Sequence, residues 1–312
     1  MKKYIVVGWV MVLSLWPFLY EYHEINDVSA EEKIRLNYAF SINSRNIPGG
    51  LKDPQGIYWD QDGQELYVAN TGNHTINVLD KQGLLLYTFG PQCKLSSPLD
   101  IVVKERRLYI SDLDYNFIKI VNYRGELLSR LKPKPEDVPD FLPGRMALGP
   151  DGYLYVVNRA TQNVVVFDSH DRFLKNLFSK VRFNFITGII ISPQRELILV
   201  DAKGPVVNIF NHNGEMLSQF GTHGIKSSDF TMPGQPCIDL SGMIWIIDTF
   251  SHSLKIFTRD GGFISSVGGM GKKPGEFFYP VDIDLRPPGY LYVLDKGNAR
   301  IQVFDISGII TR

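Results

Sequence analysis

From about residue 34 onward, apolar and polar residues alternate in short bursts, and each burst ends at a turn residue. Ile76-Asn77-Val78 and Ile301-Gln302-Val303 are clear cases. A period of two puts successive side chains on opposite faces, as in a half-buried strand. The three-and-four apolar spacing of an amphipathic helix is absent from this stretch. The pattern therefore predicts an all-β domain of many short strands.

The bursts are organised by one phrase that recurs six times. Its clearest copies are Leu66-Tyr67-Val68-Ala69-Asn70-Thr71-Gly72-Asn73-His74 and Leu291-Tyr292-Val293-Leu294-Asp295-Lys296-Gly297-Asn298. Aligned on the aromatic, the copies are anchored at Tyr67, Tyr109, Tyr155, Ile198, Trp245 and Tyr292, with spacings of 42, 46, 43, 47 and 47 residues. That period suits a propeller blade of four strands and is too long for most helical solenoids. Three residues after each anchor stands Asn70, Asp112, Asn158, Asp201, Asp248 or Asp295. A second turn column follows at Asp80, Asn122, Asp168, Asn211, Thr258 and Asp305, with glycines at Gly83, Gly125, Gly214, Gly261 and Gly308. Asp and Asn accept backbone N–H groups in tight turns, and glycine supplies the positive φ such turns require.

The phrase resembles the NHL repeat of exported bacterial propellers over about residues 34 to 312. Two connections carry the resemblance further. Gly221 and Gly224 lead through Phe230 to Pro233, and Gly268 and Gly271 lead through Phe277 to Pro280, at the same spacing. The sequence departs from the pattern at Pro91–Pro98, at Lys132-Pro133-Lys134-Pro135, and at Gly204-Pro205, where an Asn-His turn is replaced. The resemblance implies a six-bladed β-propeller of four-stranded antiparallel blades. After Gly308 only four residues remain, so the last blade lacks its outer strand. Leu36, Tyr38, Phe40 and Ile42 alternate near the other end, and a strand at about 35–43 is expected to complete that blade and close the ring.

Ahead of this domain, Lys2 and Lys3 precede an apolar run from Tyr4 to Tyr20. A basic start followed by such a run reads as an export segment. Two versions stay open: a signal peptide cleaved after Val28-Ser29-Ala30, and an uncleaved anchor of residues 4–20, at the lower edge of a membrane span. The expected organisation is thus a signal or signal-anchor at 1–30 and the propeller at 31–312. It places the protein outside the cytoplasm, periplasmic or extracellular, touching membrane only through that segment.

Charge and cysteines narrow the chemistry. With 33 basic and 33 acidic residues, the net charge is zero, which gives no pull toward nucleic acid. The basic clusters Lys104–Arg107, Lys132–Lys134 and Lys272–Lys273 are short and read as solvated loops. Cys93 and Cys237 lie in different repeats without metal or haem spacing, and are expected to be small buried hydrophobes. No nucleophile elbow, phosphate loop or zinc-protease motif occurs, so no catalytic residues, metal or cofactor are assigned. His74 and His252 share a repeat column that the NHL pattern explains, and His223 in a linker is a weak channel-side candidate.

The remaining candidates sit just after the prolines that open the inner strands, Pro54, Pro98, Pro143, Pro233 and Pro280. There stand Asp100, Arg145, Gln235 and Asp282, with Gly56 and Gly188 in the other two blades. One reading is a polar channel mouth in which these residues hold a ligand. The competing reading is a hydrated funnel in which Arg145 pairs with Asp100, because charges near an axis need partners in either case. Two functions follow: a non-catalytic scaffold for a protein, peptide or glycan, or a hydrolase or lyase with calcium held by Asp100 and Asp282. The Pro-rich insertion Lys132–Leu142 is a further presenting loop or a spacer.

Overall fold

The computed structural model describes residues 34–178 and 183–310, which fall within one compact unit spanning 33–312. The proposed export segment lies outside the described residues. Six four-stranded antiparallel sheets form the domain, five of them meanders of consecutive strands. The inner strands, one per blade, are Gly56–Asp60, Pro98–Lys104, Pro143–Leu148, Ile186–Ile191, Pro233–Ile238 and Pro280–Arg286. No described helix is long and apolar enough to cross a membrane.

The hydrophobic core is six cores, one at each junction between blades. The sequence anchors are distributed one to each. Tyr67 fills the junction of blades 1 and 2, Tyr109 that of 2 and 3, and Tyr155 that of 3 and 4. Ile198, Trp245 and Tyr292 do the same for blades 4 and 5, 5 and 6, and 6 and 1. All six are buried. The repeated aromatic therefore exists because one face of every blade must be covered by the next, and a bulky ring removes the most apolar surface from water there.

The two turn columns have different roles. At the second, the expected geometry holds: Asp80 accepts the N–H groups of Gln82 and Leu84, and Gly83 adopts φ +82° between them. In the first column Asp112, Asn158 and Asp201 make the expected local bond, each accepting the N–H of the residue two further on, and the column has a second duty. Its side chains accept N–H groups from the linker that enters the same blade's inner strand. Asp112 receives Ser96 and Ser97, Asp201 receives Asn184 and Phe185, and Asp248 receives Thr231 and Met232. Sequence spacing does not show this, because donor and acceptor are about a third of a repeat apart and meet only when the blade folds. In the linkers that carry Gly221 and Gly268, Phe230 and Phe277 are buried.

Ring closure uses the expected segment. Asn37–Ile42 pairs antiparallel with Arg300–Asp305 as the outer strand of blade 6, from Asn37 opposite Asp305 to Ile42 opposite Ile301. Gly308 is a correction: Ser307–Ile310 form a short helical turn, and Gly308 is not among the positive-φ glycines. With its outer strand supplied from the N-terminal side, blade 6 has no hairpin for that glycine to turn. Both cysteines are buried and free. In the Pro-rich insertion, Val138 and Phe141 pack into the junction of blades 2 and 3.

If the junction rings hold the blades together, Trp245→Ala should cost about 3–5 kcal/mol of unfolding free energy in urea melts. Exposed His212→Ala should stay within about 0.5 kcal/mol of the parent. Equal effects would contradict this account of the core.

Candidate functional site

Each polar candidate lies at the third residue of its inner strand, where the pairing slips. The register breaks between Pro98 and Asp100, Pro143 and Met146, Pro233 and Pro236, and Pro280 and Asp282. Such irregularities re-aim a side chain out of the regular ladder. Here they turn Asp100, Arg145, Gln235 and Asp282 toward the neighbouring inner strands.

Three of the four act as clamps between blades. Asp282 of blade 6 accepts the N–H of Ile57 in blade 1 at 2.9 Å, and Asp100 of blade 2 accepts that of Met146 in blade 3 at 2.7 Å. Gln235 of blade 5 donates to Ile189 O at 2.9 Å and accepts Ile189 N–H at 3.3 Å in blade 4. At the two remaining positions the strands approach too closely for a side chain. A Cβ on Gly56 would sit 2.5 Å from Leu99 O, and one on Gly188 would sit 2.6 Å from Gly234 O.

Arg145 is the exception, because it crosses the channel. Its Nη1 lies 3.0 Å from Asp282 Oδ2 in the opposite blade and 3.8 Å from Asp100 Oδ1. Nη2 donates to Gln55 O at 2.8 Å. The expected partner Asp100 is thus the farther of two, and Asp282 the nearer. Arg145, Asp100 and Asp282 come together as a plug, while Gln235 stands apart from it on Ile189.

Burial governs the titration of this plug. It pushes Asp100 up to about 7, against the lowering effect of Arg145 and with Asp282 adding to the rise. Burial also raises Asp282, again opposed by Arg145. Desolvation works against the guanidinium too, but Asp282 and Asp100 outweigh it and hold Arg145 above its ordinary value. A third carboxyl, Asp284, is pushed to about 7 by burial, opposed by N–H donation from Trp59 and Leu285. Asp284 escaped the sequence reading although a signal existed. It lies two residues beyond Asp282, in a column otherwise filled by Tyr58, Val102, Ala147, Ile190 and Cys237.

The plug separates two depressions on the axis. On the inner side, a cavity of about 230 Å³ is lined by Asp100, Gln235, Asp284 and apolar residues of the inner strands. On the other side, at the start of the inner strands, a mouth of about 540 Å³ opens to solvent. Arg145 contributes to its lining, beside Arg159, Leu113, Phe185, Met232 and Phe250. Phe185 and Phe250 are exposed, as are Leu142 and Tyr279 on the adjoining loops. Contiguous exposed apolar groups of this kind mark binding surfaces. Leu142, Phe185, Met232 and Tyr279 share one repeat position, held by Asp53 and Ser97 in the other two blades, so this part of the rim carries a periodic signal, whereas Phe250 does not.

The histidines do not converge. His74 and His252 take left-handed conformations at the turn between second and third strands, with φ +57° and +54°. His252 Nδ1 accepts the N–H of Tyr279. His223 is exposed in its linker and lines neither axial depression. Among the described residues, no group of three or more His, Cys, Asp or Glu is placed to hold a metal ion.

Comparison with known proteins agrees with this architecture. Residues 235–311 match a family model, DUF5128, described as a 6-bladed beta-propeller. NHL repeat-containing protein 2 of Gallus gallus is 26% identical over 93 residues, a match covering 26% of this chain and 13% of that protein. The chain therefore resembles only a small part of that relative. Among solved structures, a Bacteroides thetaiotaomicron protein of unknown function superposes with TM-score 0.66 and 14% identity, over 86% of this chain and 73% of the other. A streptogramin B lyase gives 0.63 and 13%, over 85% and 97%. Virginiamycin B lyase from Staphylococcus aureus, solved with quinupristin, gives 0.60 and 13%, over 83% and 82%. At these identities the likeness is one of fold.

The buried carboxyls make stability depend on pH. In the unfolded chain Asp284 titrates near 3.8, and in the folded chain near about 7. The folded state therefore holds the proton more tightly. Its contribution is fully present below about pH 4 and is lost as the pH rises through about 7. Asp284→Asn should shrink the stability difference between urea melts at about pH 4.5 and about pH 7.5. An unchanged difference would show that Asp284 is not the group responsible.

Proposed function

From a six-bladed β-propeller built of NHL-type repeats, we propose that the chain is a non-catalytic binding scaffold acting outside the cytoplasm, with its partner seated in the axial mouth above Arg145. The observation that carries this is the mouth itself: about 540 Å³, open to solvent, drawing residues from five of the six inner strands and Gln55 from just before the other. Its volume lies within the roughly 300–1,000 Å³ of ordinary ligand sites, and its walls combine apolar groups with a few fixed polar ones. The blades are locked by their junction cores, so the rim is rigid, and a preorganised rim loses little entropy on binding.

In this reading the four polar candidates have different tasks. Arg145 forms part of the mouth's floor. Asp100 and Asp282 hold it there and tie neighbouring blades, and Gln235 performs only the second duty. The calcium-dependent hydrolase or lyase is less well supported. Every carboxylate oxygen of Asp100 and Asp282 already accepts at least one backbone N–H. A cation between them would also displace or repel the Arg145 guanidinium. A peptide or protein partner suits the exposed aromatic rim better than a glycan, whose many hydroxyls would meet few free polar groups there.

The test is a tagged full-length protein recovered from its native host after crosslinking. Phe185→Ala with Phe250→Ala should abolish recovery of the partner, and both residues are exposed, so the fold should survive. Exposed Leu86→Ala, on an outer strand, should leave recovery intact. Identical recovery from both variants would move the site away from the mouth.

A further inference from the structure

We propose that the mouth recognises the free carboxyl terminus of a peptide or protein segment whose last residue is apolar, with Arg159 receiving the carboxylate. This rests on the reading of the mouth as the binding site and adds the chemical class of its occupant.

The charge inventory of the mouth leads there. Arg145 lies close to two carboxylates, so its charge is already answered. Arg159 is different. Its Nε donates to Pro143 O at 3.1 Å and its Nη2 to Leu113 O at 3.0 Å, both neutral carbonyls. Among the described residues it forms no ion pair within 4.0 Å. Asp114 is near enough to act on it electrostatically, but makes its own bond to Ser97 Oγ. Burial lowers the Arg159 pKa, as expected of a partly desolvated cation without a close carboxylate. No Asp or Glu lines the mouth.

The two carbonyl bonds fix the guanidinium without neutralising it. Its stem runs against Gly144, where a Cβ would lie 2.8 Å from Arg159 Cγ, so the side chain is held by shape as well. Nη1 makes no hydrogen bond among the described residues. A fixed cation with a spare donor, set among Phe185, Phe250 and Met232, complements one anionic group on an otherwise apolar body. Lys203, whose Nζ lies 5.8 Å from the Phe185 ring centroid, adds positive potential on the same rim.

The extent of the surface selects a chain end over a small free acid. Apolar exposure continues outside the mouth onto Leu142 and Tyr279. Phe250 and Tyr279 meet edge to face, with ring centroids 6.1 Å apart, so the patch is continuous from the mouth to Tyr279. A short acid would fill the mouth and leave these groups in water, whereas a peptide entering carboxylate first would lie across them.

The experiment uses the purified full-length protein and labelled hexapeptides ending in Leu, Ile, Val, Phe or Met, each as free acid and as C-terminal amide, read by fluorescence polarisation. At least one free acid should bind, with its amide weaker by about tenfold to a hundredfold, the loss of one charge-assisted contact. Arg159→Ala should weaken the acid by a similar factor and leave the amide unchanged, while Arg159→Lys keeps part of the difference. Acid and amide binding alike, with both lost in the Phe185→Ala, Phe250→Ala protein, would overturn carboxylate recognition but keep the mouth as the site. Hexanoate competing as well as the peptide, mole for mole, would overturn the chain-end assignment. No binding of any free acid at about 1 mM overturns the proposal. Binding that survives the double phenylalanine change overturns the mouth itself.

Discussion

The structure depends on one constraint: each blade presents an apolar face that it cannot cover alone. A single four-stranded sheet of this length leaves that face in water, and only the neighbouring blade removes it. One buried apolar or aromatic residue per blade recurs within each junction core, and both its chemistry and its size vary. Tyrosine serves in four blades, tryptophan in blade 5 and isoleucine in blade 4. Closure follows from the same need. With six faces to cover, the ring must shut, and Asn37–Ile42 supplies the strand that completes the sixth blade.

Once the junctions are set, the inner strands are brought side by side around a narrow axis, and a second constraint takes over. Their bulged starts direct polar side chains at each other's backbone. Asp100 and Asp282 satisfy N–H groups of the next inner strand, Gln235 one of the preceding strand, and glycine stands where no side chain fits. Buried carboxylates of this kind are tolerable only with such partners and a counter-charge. Arg145 provides that charge from across the channel, and in doing so divides the axis into an acidic depression and a larger apolar mouth. The polar groups that resemble a ligand set are therefore mainly structural, and the surface free to bind lies on the outer side of the plug.

The mouth and the core obey different rules. Core positions repeat because all six junctions pose the same packing problem. Mouth positions vary more from blade to blade, because the loops that carry them face solvent. Phe185 shares a repeat position with Leu142, Met232 and Tyr279, whereas Phe250 and Arg159 stand where the other blades carry unrelated residues. Asp284 is intermediate: it breaks an apolar column, which was visible, but its meaning depends on the nearby Asp282 and on desolvation within the channel.

The sequence by itself determined the fold: blade number, the six junction anchors, the turn column at Asp80 and its equivalents, and the closing strand near Leu36–Ile42. These are properties of periodic spacing and local backbone chemistry, which a linear pattern records in full. Tertiary structure alone decided what the polar residues do. It gave Asp112, Asp201 and Asp248 to incoming linkers, paired Arg145 more closely with Asp282 than with Asp100, and left Gln235 to its neighbouring strand. It also gathered Arg159, Phe185 and Phe250 from three blades into one mouth. Partners separated by tens to more than a hundred residues meet only when the ring closes, and no spacing along the chain encodes which of them will be nearest.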